Sequence, residues 1–120
     1  MIYGVGVDMI SISRVQKACE KESFLTKVFS CKEIELYRKC PEKLAANFSS
    51  KEAFSKALGT GLRGFDMNEV ELLRDSLGKP YYKFSGRALG IMNSHKLVAH
   101  VSVSDEEDYV IVFTVLETEE

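Results

Sequence analysis

Leu44, Phe48 and Glu52 are spaced four residues apart, and Lys56 continues the row. On a helix such a row occupies one face. A carboxylate in line with leucine and phenylalanine sits at the edge of a buried stripe or inside it. Burial without a partner is costly, so there Glu52 needs a cation or a metal ion. On the surface it would simply pair with Lys56, for about 0.2–0.5 kcal/mol. Asp8 is the second residue of this kind. It ends an apolar run containing Gly4 and Gly6, and glycine in a strand permits close approach of another backbone or a ligand. Asp8 either faces a ligand there or caps the following turn. Two carboxylates on different elements suit magnesium, which takes one or two carboxylates, several waters and phosphate oxygens. Lys56, one turn beyond Glu52, would then meet a phosphate.

Other chemistries find little support. The glycines around Thr60 do not make a G-x-x-x-x-G-K-[ST] loop, and no G-x-S-x-G elbow occurs. Cys19, Cys31 and Cys40 are odd in number and lack C-x-x-C spacing, which argues against a disulfide framework and, with only His95 and His100 to help, against zinc. Reduced cysteines that serve packing fit a cytoplasmic protein. His95 reads as solvated. His100 reads as a strand residue used in packing or a backbone hydrogen bond, and Tyr81, Tyr82, Phe84 and Tyr109 as core or subunit-contact residues.

The elements that must position these groups follow from pattern and punctuation. Residues 2–8 alternate loosely and read as a strand. Ser13-Arg14-Val15-Gln16 has the S-x-x-Q form of a capping box, and Ser30-Cys31-Lys32-Glu33 repeats the signal for a second helix that Pro41 stops. A longer helix is expected over 42–58, ended by Gly59 and Gly61. Strands are expected over 70–73 and 81–84, flanking the turn Leu77-Gly78-Lys79-Pro80. A short helix is expected over 86–94. The two best strand patterns, 97–103 and 109–116, are joined by an acidic turn short enough to require antiparallel pairing. Helices early and strands late read as α+β: one small domain over residues 1–120, an antiparallel sheet packed against helices.

The chain has 120 residues, 45% apolar and 28% charged, as in an ordinary soluble globular protein. Folding at this length buries roughly 65% of the unfolded chain's surface. No apolar run approaches the roughly 18–20 residues of a membrane span. Met1 leads straight into the first strand pattern without a basic segment, which argues against a secretory signal. The charge is unevenly spread. Before residue 105 there are 16 bases against 11 acids, and from Asp105 onward seven acids and no base. A mildly basic body suits an anionic ligand or partner. Its bases are too dispersed for the clustered face that nucleic acid asks for, and the acidic end reads as solvated.

Several motifs resemble one family, the holo-[acyl-carrier-protein] synthases. Gly6-Val7-Asp8 followed by Arg14 is similar to their N-terminal signature. The run Phe48-Ser49-Ser50-Lys51-Glu52-Ala53-Phe54-Ser55-Lys56-Ala57-Leu58-Gly59-Thr60-Gly61 resembles their central F-x-x-K-E-A-x-x-K-A-x-G-x-G helix. Leu77-Gly78-Lys79-Pro80 and Val101-Ser102-Val103-Ser104 resemble their third and fourth motifs. The resemblance covers nearly the whole chain in the right order.

It implies the 4′-phosphopantetheinyl transferase fold and a transfer of 4′-phosphopantetheine from coenzyme A to a serine of apo-acyl carrier protein, in fatty-acid synthesis or another pathway. It further implies magnesium on Asp8 and Glu52, with Lys56 toward the pyrophosphate. Coenzyme A would contact Lys56, Gly78, Lys79, Pro80, Ser104 and Asp105. Carrier docking would use Arg14, Lys17, Lys21 and Phe24, and the assembly would be a homotrimer with active sites between subunits. By spacing, Arg14, Lys17 and Lys21 are either one basic docking ridge or a solvated helix face.

Two positions depart from the family pattern. Asn47 stands where arginine is frequent, and Asp105 where histidine usually follows the serine motif. Both lie, by the resemblance, near the 3′-phosphate of coenzyme A. Either Lys79, Lys83 or Arg87 supplies the missing charge, or coenzyme A binds more weakly, or dephospho-coenzyme A is tolerated. The alternative function is a non-catalytic carrier-binding module of the same fold with weakened coenzyme A binding. If the ridge docks the carrier, Arg14→Glu raises KM for carrier protein with little change for coenzyme A. An unchanged carrier KM in steady-state kinetics places docking elsewhere.

Overall fold

The computed structural model describes residues 1–119. It contains β1 (Ile2–Ser11), α1 (Ile12–Ala18), α2 (Glu22–Val28), α3 (Cys31–Tyr37) and α4 (Pro41–Leu58). A 3-10 turn (Met67–Glu69) then leads to β2 (Val70–Arg74), β3 (Pro80–Phe84), α5 (Gly86–Ser94), β4 (Leu97–Glu106) and β5 (Tyr109–Thr118). One antiparallel sheet has the order β1-β5-β4, and β2 and β3 form a separate antiparallel ribbon. This is the expected α+β arrangement.

Helix α4 is the axis of the structure. Pro41 opens it at a position where its missing N–H is not needed, and Gly59 closes it with a left-handed φ of 84°. Its sheet-facing side is lined with small residues, so it lies directly across β1 and β5. A Cβ at Gly4 would collide with the carbonyl oxygen of Ala57, and one at Gly6 with that of Ala53. One apolar cluster joins α4 to α1–α3 through Val15, Leu25, Phe29, Leu44 and Val112. A second joins it to α5 and the ribbon through Phe54, Phe65, Val70, Met92 and Leu116.

The opposite side of α4 buries charge. Lys51 and Glu33 pair at 2.8 Å with both side chains wholly inaccessible. The Glu33 carboxylate also accepts from the amides of Ser30 (3.0 Å) and Leu72 (3.2 Å) and from Asn47 Nδ2 (2.7 Å). The Lys51 ammonium donates further to the carbonyls of Met67 (3.1 Å) and Val70. Desolvation draws the Lys51 pKa down, against the attraction of Glu33. Every hydrogen of the ammonium has an acceptor, which is the condition for burying such a pair.

Several sequence expectations are corrected in detail. The Ser30–Glu33 capping box forms. The one proposed at Ser13 does not: Ser11 is the N-cap of α1, and Ser13 instead bonds Asp108. Helix α2 was not expected. Its N-cap, Lys21, makes no side-chain cap bond, so no local signal announces it, and the burial of Leu25 and Val28 holds it. Asp108, expected to be solvated, accepts from Ser11 Oγ (2.7 Å), Ser13 Oγ (2.8 Å) and the Ser13 amide (3.0 Å). These bonds hold its carboxyl pKa below the usual range. His100 is exposed and pairs with Glu117 at 2.9 Å rather than packing.

Lys51→Met leaves the Glu33 carboxylate buried without its cation. It should destabilise the chain by about 3–5 kcal/mol, read as a lowered urea midpoint, and adding Glu33→Gln should recover part of the loss.

Candidate active site

The close approach of β1 to α4 carries Asp8 to the helix. On the α4-facing side of β1, Gly4, Gly6 and Asp8 follow one another at the strand period of two, so the glycines that admit the helix also aim the carboxylate at it. Asp8 Oδ2 accepts from Ser49 Oγ at 2.8 Å, and Oδ1 from Lys56 Nζ at 3.3 Å. Lys56 Nζ also donates to the carbonyl of Val7 at 2.9 Å. Asp8 is 15% exposed and Lys56 54%. The expected Glu52–Lys56 surface pair is not among the ion pairs of the described residues; the lysine crosses to the strand instead.

Glu52 remains as a second carboxylate beside Asp8. Burial raises its pKa, the negative charge of Asp8 raises it further, and Lys56 partly opposes both. The arrangement therefore holds more negative charge than its lysine settles. Among the described residues no three His, Cys, Asp or Glu side chains gather to form a metal cage. A divalent cation would rest on Asp8 and Glu52, with water and a phosphate-bearing ligand completing its shell, which is the donor set of magnesium. Ser49, which orients Asp8, was missed by sequence reasoning; one serine in a helix carries no signal.

Gly78, Pro80 and Asp105 meet elsewhere, in a cleft of about 290 Å³ that also contains Lys43 and Arg74. The β2–β3 turn beside it is built by Asp75, whose Oδ1 accepts from the amides of Leu77 and Lys79, both at 2.9 Å, with Gly78 at φ 87°. Lys79 belongs to that turn but does not line the cleft. Ser104 lines a second depression with Met9 and Tyr109, and Asp105 lines both. The chain thus brings Asp8, Glu52 and Lys56 together, and gathers Gly78, Pro80, Asp105 and Ser104 around two depressions that share Asp105, with Lys79 lining neither.

Asn47 is wholly buried, bonded to Glu33, the Leu72 carbonyl and Arg74. Of the three expected replacement cations, Arg87 is engaged with Asp66 at 3.2 Å, and Lys83 stands opposite Glu71 in the ribbon register. Arg74 and Lys43 were not anticipated.

Arg14, Lys17, Lys21 and Phe24 line one shallow depression. Lys21 is not on α1 as expected but caps α2, so the basic ridge spans two helices. The Phe24 ring packs on Phe48, 5.9 Å between centroids. Phe48 is the residue one turn before Glu52, so Phe24 packs on the face of α4 that carries Glu52.

Residues 4–114 match the 4′-phosphopantetheinyl transferase superfamily. The holo-[acyl-carrier-protein] synthase of Lachnoclostridium phytofermentans is 43% identical over 116 residues, covering 96% of this chain and 95% of that one. The crystal structure of the Neisseria meningitidis synthase superposes with a TM-score of 0.89 at 32% identity, over 98% of this chain and all of the other. A Bacillus anthracis synthase, solved in complex with CoA (3′,5′-ADP), superposes with a TM-score of 0.83 at 27% identity, over 99% of both chains. The chain belongs to the 4′-phosphopantetheinyl transferase superfamily.

The repulsion around Glu52 gives a prediction with a definite sign. A carboxyl whose pKa is raised by folding destabilises the fold once ionised. Stability is lost as pH rises from the unfolded-state pKa through the folded one. Glu52→Gln should therefore raise Tm at neutral pH by roughly 1–3 °C while abolishing activity. The gain should vanish in acid, where Glu52 is protonated; thermal unfolding at two pH values checks this.

Proposed function

We propose that this chain transfers 4′-phosphopantetheine from coenzyme A to a serine of apo-acyl carrier protein, yielding holo-carrier protein and adenosine 3′,5′-bisphosphate. The single domain over residues 1–120 would carry the activity in the cytoplasm. Among the described residues no helix is long and apolar enough to cross a membrane. The observation that carries the reading is the cluster of Asp8, Glu52 and Lys56 at the seam of β1 and α4.

The serine oxygen attacks the β-phosphorus of coenzyme A. The bond from that phosphorus to the bridging oxygen breaks, and the electron pair leaves on the bisphosphate. A pyrophosphate repels an incoming hydroxyl, so the site must neutralise charge where it develops. Magnesium on Asp8 and Glu52, when bound, supplies that neutralisation. Ser49 and Lys56 keep Asp8 oriented, and the exposed ammonium of Lys56 adds a point charge for the pyrophosphate. A water held beside the carboxylates would accept the serine proton. Arg14, Lys17, Lys21 and Phe24 dock the acidic carrier, and the packing of Phe24 on Phe48 leads its serine toward Glu52.

A homotrimer with active sites between subunits is supported by the sheet face turned away from α4. There Val5, Val7, Met9, Ile111 and Phe113 are between 42% and 63% exposed, an apolar surface that a second copy would cover. Sedimentation should give three chain masses; a monomer at micromolar concentration refutes the trimer.

Apo-carrier protein incubated with the chain, coenzyme A and magnesium should gain the mass of one 4′-phosphopantetheine group. No gain at high coenzyme A, with carrier binding intact, supports the non-catalytic module instead.

A further inference from the structure

Arg74 and Lys43 converge on one aromatic ring. The Arg74 guanidinium carbon lies 4.6 Å from the centroid of Tyr37, and Lys43 Nζ lies 5.8 Å from the same centroid. Arg74 Nη1 donates to Asn47 Oδ1 at 2.8 Å and to the Leu72 carbonyl at 3.4 Å. Asn47 is itself fixed, because its Nδ2 is spent on Glu33 and the Leu72 carbonyl. The guanidinium is thus held from one edge and one face.

Neither cation is among the ion pairs of the described residues, whereas Arg38 and Arg87 both have acid partners, at 2.7 and 3.2 Å. Two acids share the cleft, Glu42 and Asp105. Glu42 Oε2 accepts from the Cys40 thiol at 3.3 Å. Asp105 pairs with no cation among the described residues. Two like charges drawn to one ring repel each other and favour an anion between them, while Glu42 and Asp105 at the cleft wall oppose it.

We infer that Arg74, anchored by Asn47 and Tyr37, acts with Lys43 to bind a terminal phosphate monoester, and that it sets the preference for coenzyme A over dephospho-coenzyme A. The charges match: two cations meet a dianion. The geometry matches as well, because a guanidinium held on one nitrogen keeps N–H groups for a bidentate contact with phosphate. On this account Asn47 is not a lost arginine. It is the anchor for a guanidinium delivered from β2 rather than from α4. Asp105 is the opposing charge that limits affinity. The inference rests on the coenzyme A reading above.

Initial-rate kinetics with both donors test it. Arg74→Gln should lower kcat/KM for coenzyme A by about tenfold to a hundredfold, and at least ten times more than for dephospho-coenzyme A. Arg74→Lys should restore part of the ratio. Asp105→Asn should shift the ratio the other way, further toward coenzyme A. A merely structural role would lower both donors together, and an unchanged ratio in Arg74→Gln overturns the inference.

Calorimetric titration separates this from the transfer reading. Adenosine 3′,5′-bisphosphate should bind the wild-type chain more tightly than adenosine 5′-monophosphate, and Arg74→Gln should remove the difference. If that difference depends on Arg74 while no carrier is modified, the pocket stands and transfer falls. If carrier is modified but the difference does not depend on Arg74, transfer stands and the pocket falls.

Discussion

The contact between β1 and α4 sets the positions of everything else. Strand and helix meet with backbone against backbone, because Gly4 and Gly6 face the carbonyls of Ala57 and Ala53 with no side chain between them. A larger residue at either position would push the strand away from the helix. Asp8 would then leave the reach of Ser49 and Lys56, and its charge would no longer bear on Glu52. The same contact leaves the other face of the sheet without a cover, and that face is apolar. Close packing on one side thus goes with a concentrated negative charge at the seam and an exposed apolar surface on the other face.

Helix α4 divides its labour between neighbouring residues. Lys51 points into the interior and Glu52 toward the seam, one residue apart in sequence and on different sides of the helix. Lys51 ties α3, β2 and the 3-10 turn through Glu33 and two carbonyls. That network is fully satisfied, so it holds the helix in one rotation about its axis. The rotation in turn decides what Glu52 faces. Asn47 belongs to the same network and extends it to Arg74, so the interior that fixes the helix also orients a cation in the cleft beside the β2–β3 turn.

Most of the regular elements are legible in the amino-acid sequence, and for local reasons. Apolar–polar alternation marks the β4–β5 hairpin. Ser30 with Glu33 announces α3, and Gly59 ends α4 because only a residue without Cβ adopts its conformation at low cost. Helix α2 is not legible, since seven residues without a cap have no local reason to be helical. The start of α1 is displaced from its expected place because Ser13 is drawn to Asp108, a residue 95 positions away in sequence. His100 departs from expectation for a similar reason: its partner, Glu117, is supplied by the neighbouring strand.

The sequence alone determined the family and singled out the residues of the candidate site. Asp8 at the end of a strand, with Glu52 and Lys56 four apart on a helix, is a set compatible with phosphoryl chemistry, and the surrounding motifs are those of the superfamily to which the chain belongs. What the tertiary structure decided was partnership. Local spacing allows Lys56 to meet Glu52, yet it crosses to Asp8. Nothing near Arg74 in the chain marks it, yet it stands over Tyr37 beside Lys43. Spacing along one element says which side chains share a face. Which groups meet across elements depends on where a helix crosses a strand, and here the contact of two glycines with two carbonyls sets that crossing.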